Sequence, residues 1–165
     1  GSRDDFQYSQ GDLERYAGMS GQEIVEIINE KHGLSLDLDQ IAQEKEAAFL
    51  KNLDQVKPIE PVVKVLEDYH GRLPIAAGTG GYRRVATKIL QNIGVWDRVD
   101  VLVASDDVVR HKPHPDTFLK CAESLGVAAE DCLVFEDADL GFQAARAAGM
   151  RVVDVRPYYM DERKA

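Results

Sequence analysis

From Pro61 to Val155 the chain alternates amphipathic helical segments with short, continuously apolar runs, and this alternation constrains the fold more than any other feature. Pro61 suits a first helical turn, and Val62, Val65, Leu66 and Tyr69 share one face of a helix that closes at Gly71. A strand over Leu73–Ala77 follows, then a helix over Tyr82–Ile93 stopped by Gly94, and a strand over Val99–Ala104. The pattern continues with a helix from Asp116 or Thr117 to Leu125, a strand over Cys132–Phe135, a helix over Leu140–Ala148 and a strand over Arg151–Val155. Gly126 and Gly149 stop those two helices. Apolar strands separated by helices predict an α/β fold with a parallel sheet covered on both faces. Ligands of such sheets bind beyond the carboxyl ends of the strands. Function is therefore sought in the residues that follow each strand.

The first third reads differently. Ser20 and Glu23 form a capping box, Ile24, Ile27 and Ile28 supply an apolar face, and Gly33 suits a left-handed stop. A second helix starts at Asp37, with Leu38, Ile41, Ala42, Ala48 and Phe49 on its buried side. Two such helices make a lid or a small bundle, not an independent large domain. The whole chain, 165 residues with 44% apolar side chains, fits one domain with a small appendage. A formal charge of −9 carried in short runs leaves no basic face for nucleic acid, and no apolar run approaches the length of a membrane span. Gly1-Ser2 reads as the remnant of an expression tag, and no signal peptide is visible. Cys121 falls on an apolar helical face and Cys132 opens a strand, neither with zinc or redox spacing, so both read as buried reduced thiols in a cytoplasmic setting.

Three strand ends carry chemistry. Gly78-Thr79-Gly80-Gly81 leads into a helix with Arg83 and Arg84 in its first turn. A hydroxyl and free amides at a helix start can hold an anion. On the motif alone, a tight turn that needs glycine for its dihedrals is the stronger reading. After the second strand comes Arg110-His-Lys-Pro-His-Pro-Asp116, in which Pro113 and Pro115 stiffen the segment that places Lys112. That lysine could neutralise a phosphate or a carboxylate, or be a surface residue before a Pro-x-Pro turn, and the pattern does not separate these. His111 and His114 read as loop surface. After the third strand, Glu136, Asp137 and Asp139 stand close together before a helix. Their mutual repulsion calls for a cation or for donors, and oxygen ligands at this density suit Mg²⁺. Capping by Asp137 or Asp139 would account for one acid, not three.

These segments resemble the haloacid dehalogenase superfamily of phosphohydrolases, closest to the branch of β-phosphoglucomutase and the small sugar-phosphate phosphatases. Leu73–Gly81, Arg110–Phe118 and Cys132–Gly149 carry the likeness, which runs over most of residues 11–157. The resemblance implies a Rossmann-like parallel sheet core over residues 61–157, a partial α-helical cap over 11–60, and tails at 1–10 and 158–165. It implies that Thr79 and the amide of Gly80 bind a phosphoryl group, that Lys112 balances its charge, and that Asp137 with Glu136 nearby holds Mg²⁺. Thr79 and Lys112 are its catalytic candidates. Gly18-Met19-Ser20 resembles the cap's substrate-facing loop, and Ser20 and Lys45 are the candidate cap positions toward substrate. Gly21 stands where the mutase has an arginine for a second phosphate, which favours a small phosphorylated metabolite with one phosphate.

The family begins with a strand ending in D-x-D-G, whose first aspartate is the nucleophile, and a phosphoaspartyl enzyme cannot form without it. Residues 1–10 hold no strand-length apolar run and no D-x-D. Asp37-Leu-Asp39 has the spacing but reads as a helix cap, and Asp137-Ala-Asp139 already belongs to the metal motif. The expectation is an N-terminally truncated family member whose core lacks its first strand and whose catalysis is lost or impaired. In the family that strand lies between those ending at Thr79 and Glu136. Its absence predicts that these two edges either pair or stay open and draw the chain into a homo-oligomer.

Overall fold

The computed structural model describes residues 21–35, 37, 40, 43, 47 and 49–159. The first helix, α1, spans Gly21–His32 and buries Ile24, Val25 and Ile28; Ile24 and Ile28 form a small apolar cluster with Ile27 and Leu34. Residues 40, 43, 47 and 49–51 are helical, and the Gln40 amide donates to Asp37 Oδ1 at 3.1 Å. Asp37 is thus a helix cap, as its position before an apolar period predicts. The turn over 18–20, Ser20, Lys45, residues 1–10, and the apolar positions Leu38, Ile41, Ala42 and Ala48 lie outside the described residues.

The alternation from Pro61 onward is realised. Helix α2 spans Glu60–Tyr69, β1 Ala76–Gly78, α3 Arg83–Asn92 and β2 Val101–Val103. Then come α4 at Asp116–Leu125, β3 at Leu133–Glu136, α5 at Asp139–Ala147 and β4 at Arg151–Asp154. The glycine stops behave as expected: Gly126 closes α4 at φ 68° and Gly94 follows α3 at φ 74°, conformations that cost a side chain-bearing residue energy.

Strand β1 starts later than its apolar run. Pro74 has no amide to offer a neighbour, and the Ile75 amide donates to Asp100 Oδ2 at 2.8 Å instead of to a strand. Regular pairing begins only at Ala76, and Leu73 remains 55% exposed.

The strands are parallel, as expected, and among the described residues they form two pairs, β1 with β2 and β3 with β4. Ala76 lies opposite Val101 and Gly78 opposite Val103; Leu133 lies opposite Arg151 and Glu136 opposite Asp154. Of the two outcomes expected for the inner edges, direct pairing of β1 with β3 does not occur. The helices join the halves: α4 packs on β1 and β2, α5 on β3 and β4, and α4 packs on α5. Phe118 and Ala122 of α4 meet Ala144 and Ala145 of α5, with Ala148 and Met150, and Val134 and Val152 pack against this core. Leu133 and Phe135, on alternate positions of β3, stay 47% and 37% exposed, so β3 is covered on one face among the described residues.

Candidate active site

The turn after β1 is short and made of small residues. The Gly81 amide donates to Thr79 Oγ1 at 3.1 Å, which bends the turn back on itself, and the Thr79 amide donates to the Val103 carbonyl at 2.9 Å. Gly78 sits at the close approach of β1 to α4. A Cβ there would lie 3.2 Å from Thr117 Cγ2, 3.3 Å from Cys121 Sγ and 3.5 Å from Phe118 Cδ1. The glycine before Thr79 therefore serves packing as well as the turn.

Lys112 is not a surface lysine. It is 6% exposed, its ammonium lies 2.7 Å from Glu136 Oε2, and it sits 4.6 Å above the centre of the Phe118 ring. A cation so far from water needs a charged partner and an aromatic face. Phe118 thus lies against both the end of β1 and the head of Lys112. Glu136 is equally committed: Oε1 accepts from the amides of Asp137 and Ala138, each at 3.0 Å. At Gly141, in the first turn of α5, any Cβ would overlap the Glu136 carboxylate group. The strand end, the helix start and the lysine loop are fitted around one carboxylate.

The three acids after β3 do not converge. Glu136 turns inward to Lys112, Asp137 Oδ2 accepts from the Tyr159 hydroxyl at 2.8 Å, and Asp139 Oδ1 accepts from Arg156 at 2.9 Å. Their repulsion is relieved by donors, and among the described residues no group of three histidine, cysteine or acidic side chains is arranged to hold a metal. Arg156 also grips Asp154 through both carboxylate oxygens and lies 4.8 Å above the Phe142 ring. The Arg156 hydrogen bonds hold the Asp154 carboxyl below the usual carboxylate range. Arg156 and Tyr159 do not stand out in the sequence; their only signal is that they follow a strand end. His111 also departs from the surface reading, since its Nδ1 is enclosed and has no hydrogen-bond partner among the described residues.

Of the sequence candidates, Lys112, Glu136 and the backbone of Asp137 form one bonded unit, and the packing of Gly78 on Phe118 brings the Thr79 turn next to it. Both cysteines are free. Cys121 is buried, and burial pushes its thiol up to about 11.

Parallel strands backed by helices, with a buried lysine–carboxylate pair at the strand ends, define an α/β core whose candidate site lies at the carboxyl ends of its strands. The family pattern described as "Haloacid dehalogenase-like hydrolase" matches residues 3–155, and the chain belongs to that family. It is similar to fructose-1-phosphate phosphatase YqaB of Escherichia coli (strain K12), 45% identical over 151 residues that are 89% of this chain and 80% of that protein. A Haemophilus influenzae protein is 39% identical over 118 residues, 72% of this chain and 58% of its own length. Among solved structures, β-phosphoglucomutase of Clostridium difficile matches in fold with a TM-score of 0.76 at 22% identity, over 98% of this chain and 86% of that one. Among the described residues no helix is long and apolar enough to cross a membrane.

Proposed function

We propose that this chain belongs to a phosphatase acting on a small sugar phosphate or a similar monoester, with Mg²⁺ as cofactor. The observation that carries the reading is the 45% identity with a fructose-1-phosphate phosphatase over 89% of this chain. In this reading the Thr79 hydroxyl and the Gly80 amide hold the phosphoryl group and Lys112 balances its charge. Glu136, with both carboxylate oxygens in use, serves by fixing Lys112. Asp137 suits the cation better: it is exposed, and its Oδ1 has no partner among the described residues. Mg²⁺ commonly takes one or two protein carboxylates and keeps its waters. When bound, it would offset charge on the phosphoryl oxygens. Residues 11–60 act as the cap and 61–157 as the core, a division supported by the separate apolar cluster around Ile24 and Ile28.

Turnover by this 165-residue chain is slow or absent in this reading, because phosphoaspartyl chemistry needs an aspartate nucleophile. Among the described residues no strand end offers one in D-x-D-G form. One observation favours a second reading, a phosphate-binding module that self-associates: among the described residues, β1 and β3 each have a strand neighbour on one side only. Titration calorimetry with Mg²⁺ and fructose 1-phosphate tests the binding, alongside hydrolysis of p-nitrophenyl phosphate by the wild-type chain and by Asp137→Asn. Heat of binding that Asp137→Asn reduces supports the reading, and no heat at millimolar ligand overturns it. Light scattering separates the monomer from the self-associating module.

A further inference from the structure

The turn after β1 is held from outside. A methyl built on Gly81 would meet only Thr79 Oγ1, 3.5 Å away, so little packing fixes this end of the turn. Hydrogen bonds to the next strand end do so instead. The Ser105 amide donates to the Gly81 carbonyl at 3.0 Å, and the Arg83 amide donates to Asp106 Oδ1 at 2.9 Å. The Arg83 side chain completes the set, its Nη2 donating to the Leu102 carbonyl at 2.7 Å and to Asp107 Oδ2.

Asp107 is anchored in turn. The same Oδ2 accepts the Ala104 amide at 2.8 Å, and the Asp107 carbonyl accepts Lys120 Nζ at 2.7 Å. Arg83 stands in the first turn of α3, where the helix dipole disfavours a cation. Asp106 and Asp107 reach across from the β2 loop to offset that cost. An arginine in this turn could have been read as an anion ligand, but its guanidinium is turned to the neighbouring loop.

We propose that Arg83 is a positioning residue: by spanning Asp107 and the Leu102 carbonyl it fixes the Thr79-Gly80-Gly81 turn against the loop that delivers Lys112. The inference rests on the phosphate-binding reading of Thr79 and Lys112. A site built from a hydroxyl and a backbone amide works only if its supports are rigid, since small displacements cost affinity directly.

The test measures inorganic phosphate binding to the full 165-residue chain by calorimetry, with thermal unfolding recorded in parallel. Arg83→Gln is expected to weaken phosphate binding on the order of tenfold, with Arg83→Lys recovering part of the loss. Asp107→Ala is the discriminating variant. If Arg83 acted only through its charge, removing a nearby carboxylate would tighten phosphate binding; a positioning role predicts that it weakens, and that the two losses are not additive. Binding within twofold of wild type for Arg83→Gln, with only the unfolding temperature lowered, overturns the inference, as does tighter binding by Asp107→Ala. A wild-type chain that fails to bind phosphate overturns the phosphate reading itself and the inference with it.

Discussion

The ammonium of Lys112 lies 2.7 Å from the Glu136 carboxylate, and both side chains are less than one-tenth exposed. The pair spans 24 residues of sequence and joins the loop after β2 to the end of β3. It is also the contact around which Gly141 and Phe118 are fitted.

Removing one partner leaves the other as a buried, uncompensated charge. Lys112→Met is expected to cost about 3 kcal/mol of stability, and Lys112→Met with Glu136→Gln less than the sum of the two single changes. Urea unfolding of the three variants checks this. A Lys112→Met chain as stable as wild type would show that the pair contributes little.

Gly141 is predicted to resist the usual benefit of alanine in a helix. Alanine normally favours a helix over glycine by roughly 1 kcal/mol, but here its methyl must displace the Glu136 carboxylate. Gly141→Ala should therefore destabilise by about 1–3 kcal/mol, as overpacked sites do. On a Glu136→Ala background the same change should turn neutral or stabilising, which thermal melts of the single and double variants will reveal.

Asp107 contributes to acid sensitivity. Partial burial raises its carboxyl pKa, but the Ala104 amide and the Arg83 guanidinium outweigh that and hold it below the usual carboxylate range. A depressed folded-state pKa stabilises the fold above the unfolded value and loses that contribution as pH falls through the folded one. Unfolding midpoints followed downward from about pH 5 should fall less steeply in Asp107→Asn than in wild type. Equal slopes would remove Asp107 from the account.

The two thiols should differ in reactivity. Burial raises Cys121 to about 11 and also raises Cys132, which is only half-buried. Since the thiolate is the nucleophile, iodoacetamide at mildly alkaline pH should modify Cys132 first and Cys121 only when the fold opens. Mass spectrometry across a denaturant series gives the order, and prior labelling of Cys121 in the native protein would contradict it.

Much of this was legible in the chain, for local reasons. The glycine stops at 94 and 126, the apolar faces of α2 to α5 and the cap at Asp37 depend on neighbours within a few residues. The late start of β1 was not legible, because it turns on Asp100, distant in sequence, taking the Ile75 amide. Lys112 stood out as a residue placed by a stiff segment, yet whether it faced water or a carboxylate could not be read from the segment. The contacts of Tyr159 with Asp137 and of Arg156 with Asp139 join residues 22 and 17 positions apart, which no local pattern foretells.

The sequence by itself determined the order of helices and strands, the family, and the strand ends at which chemistry should be sought. Those rest on periodicity, capping and motif spacing, all of which act along the chain. Only the tertiary structure decided that the strands form two separate pairs, that three adjacent acids take three different partners, and that Arg83 faces a loop instead of an anion. Each of those outcomes is a choice among partners of similar local chemistry, and the choice is made by how α4 and α5 pack the halves of the core together.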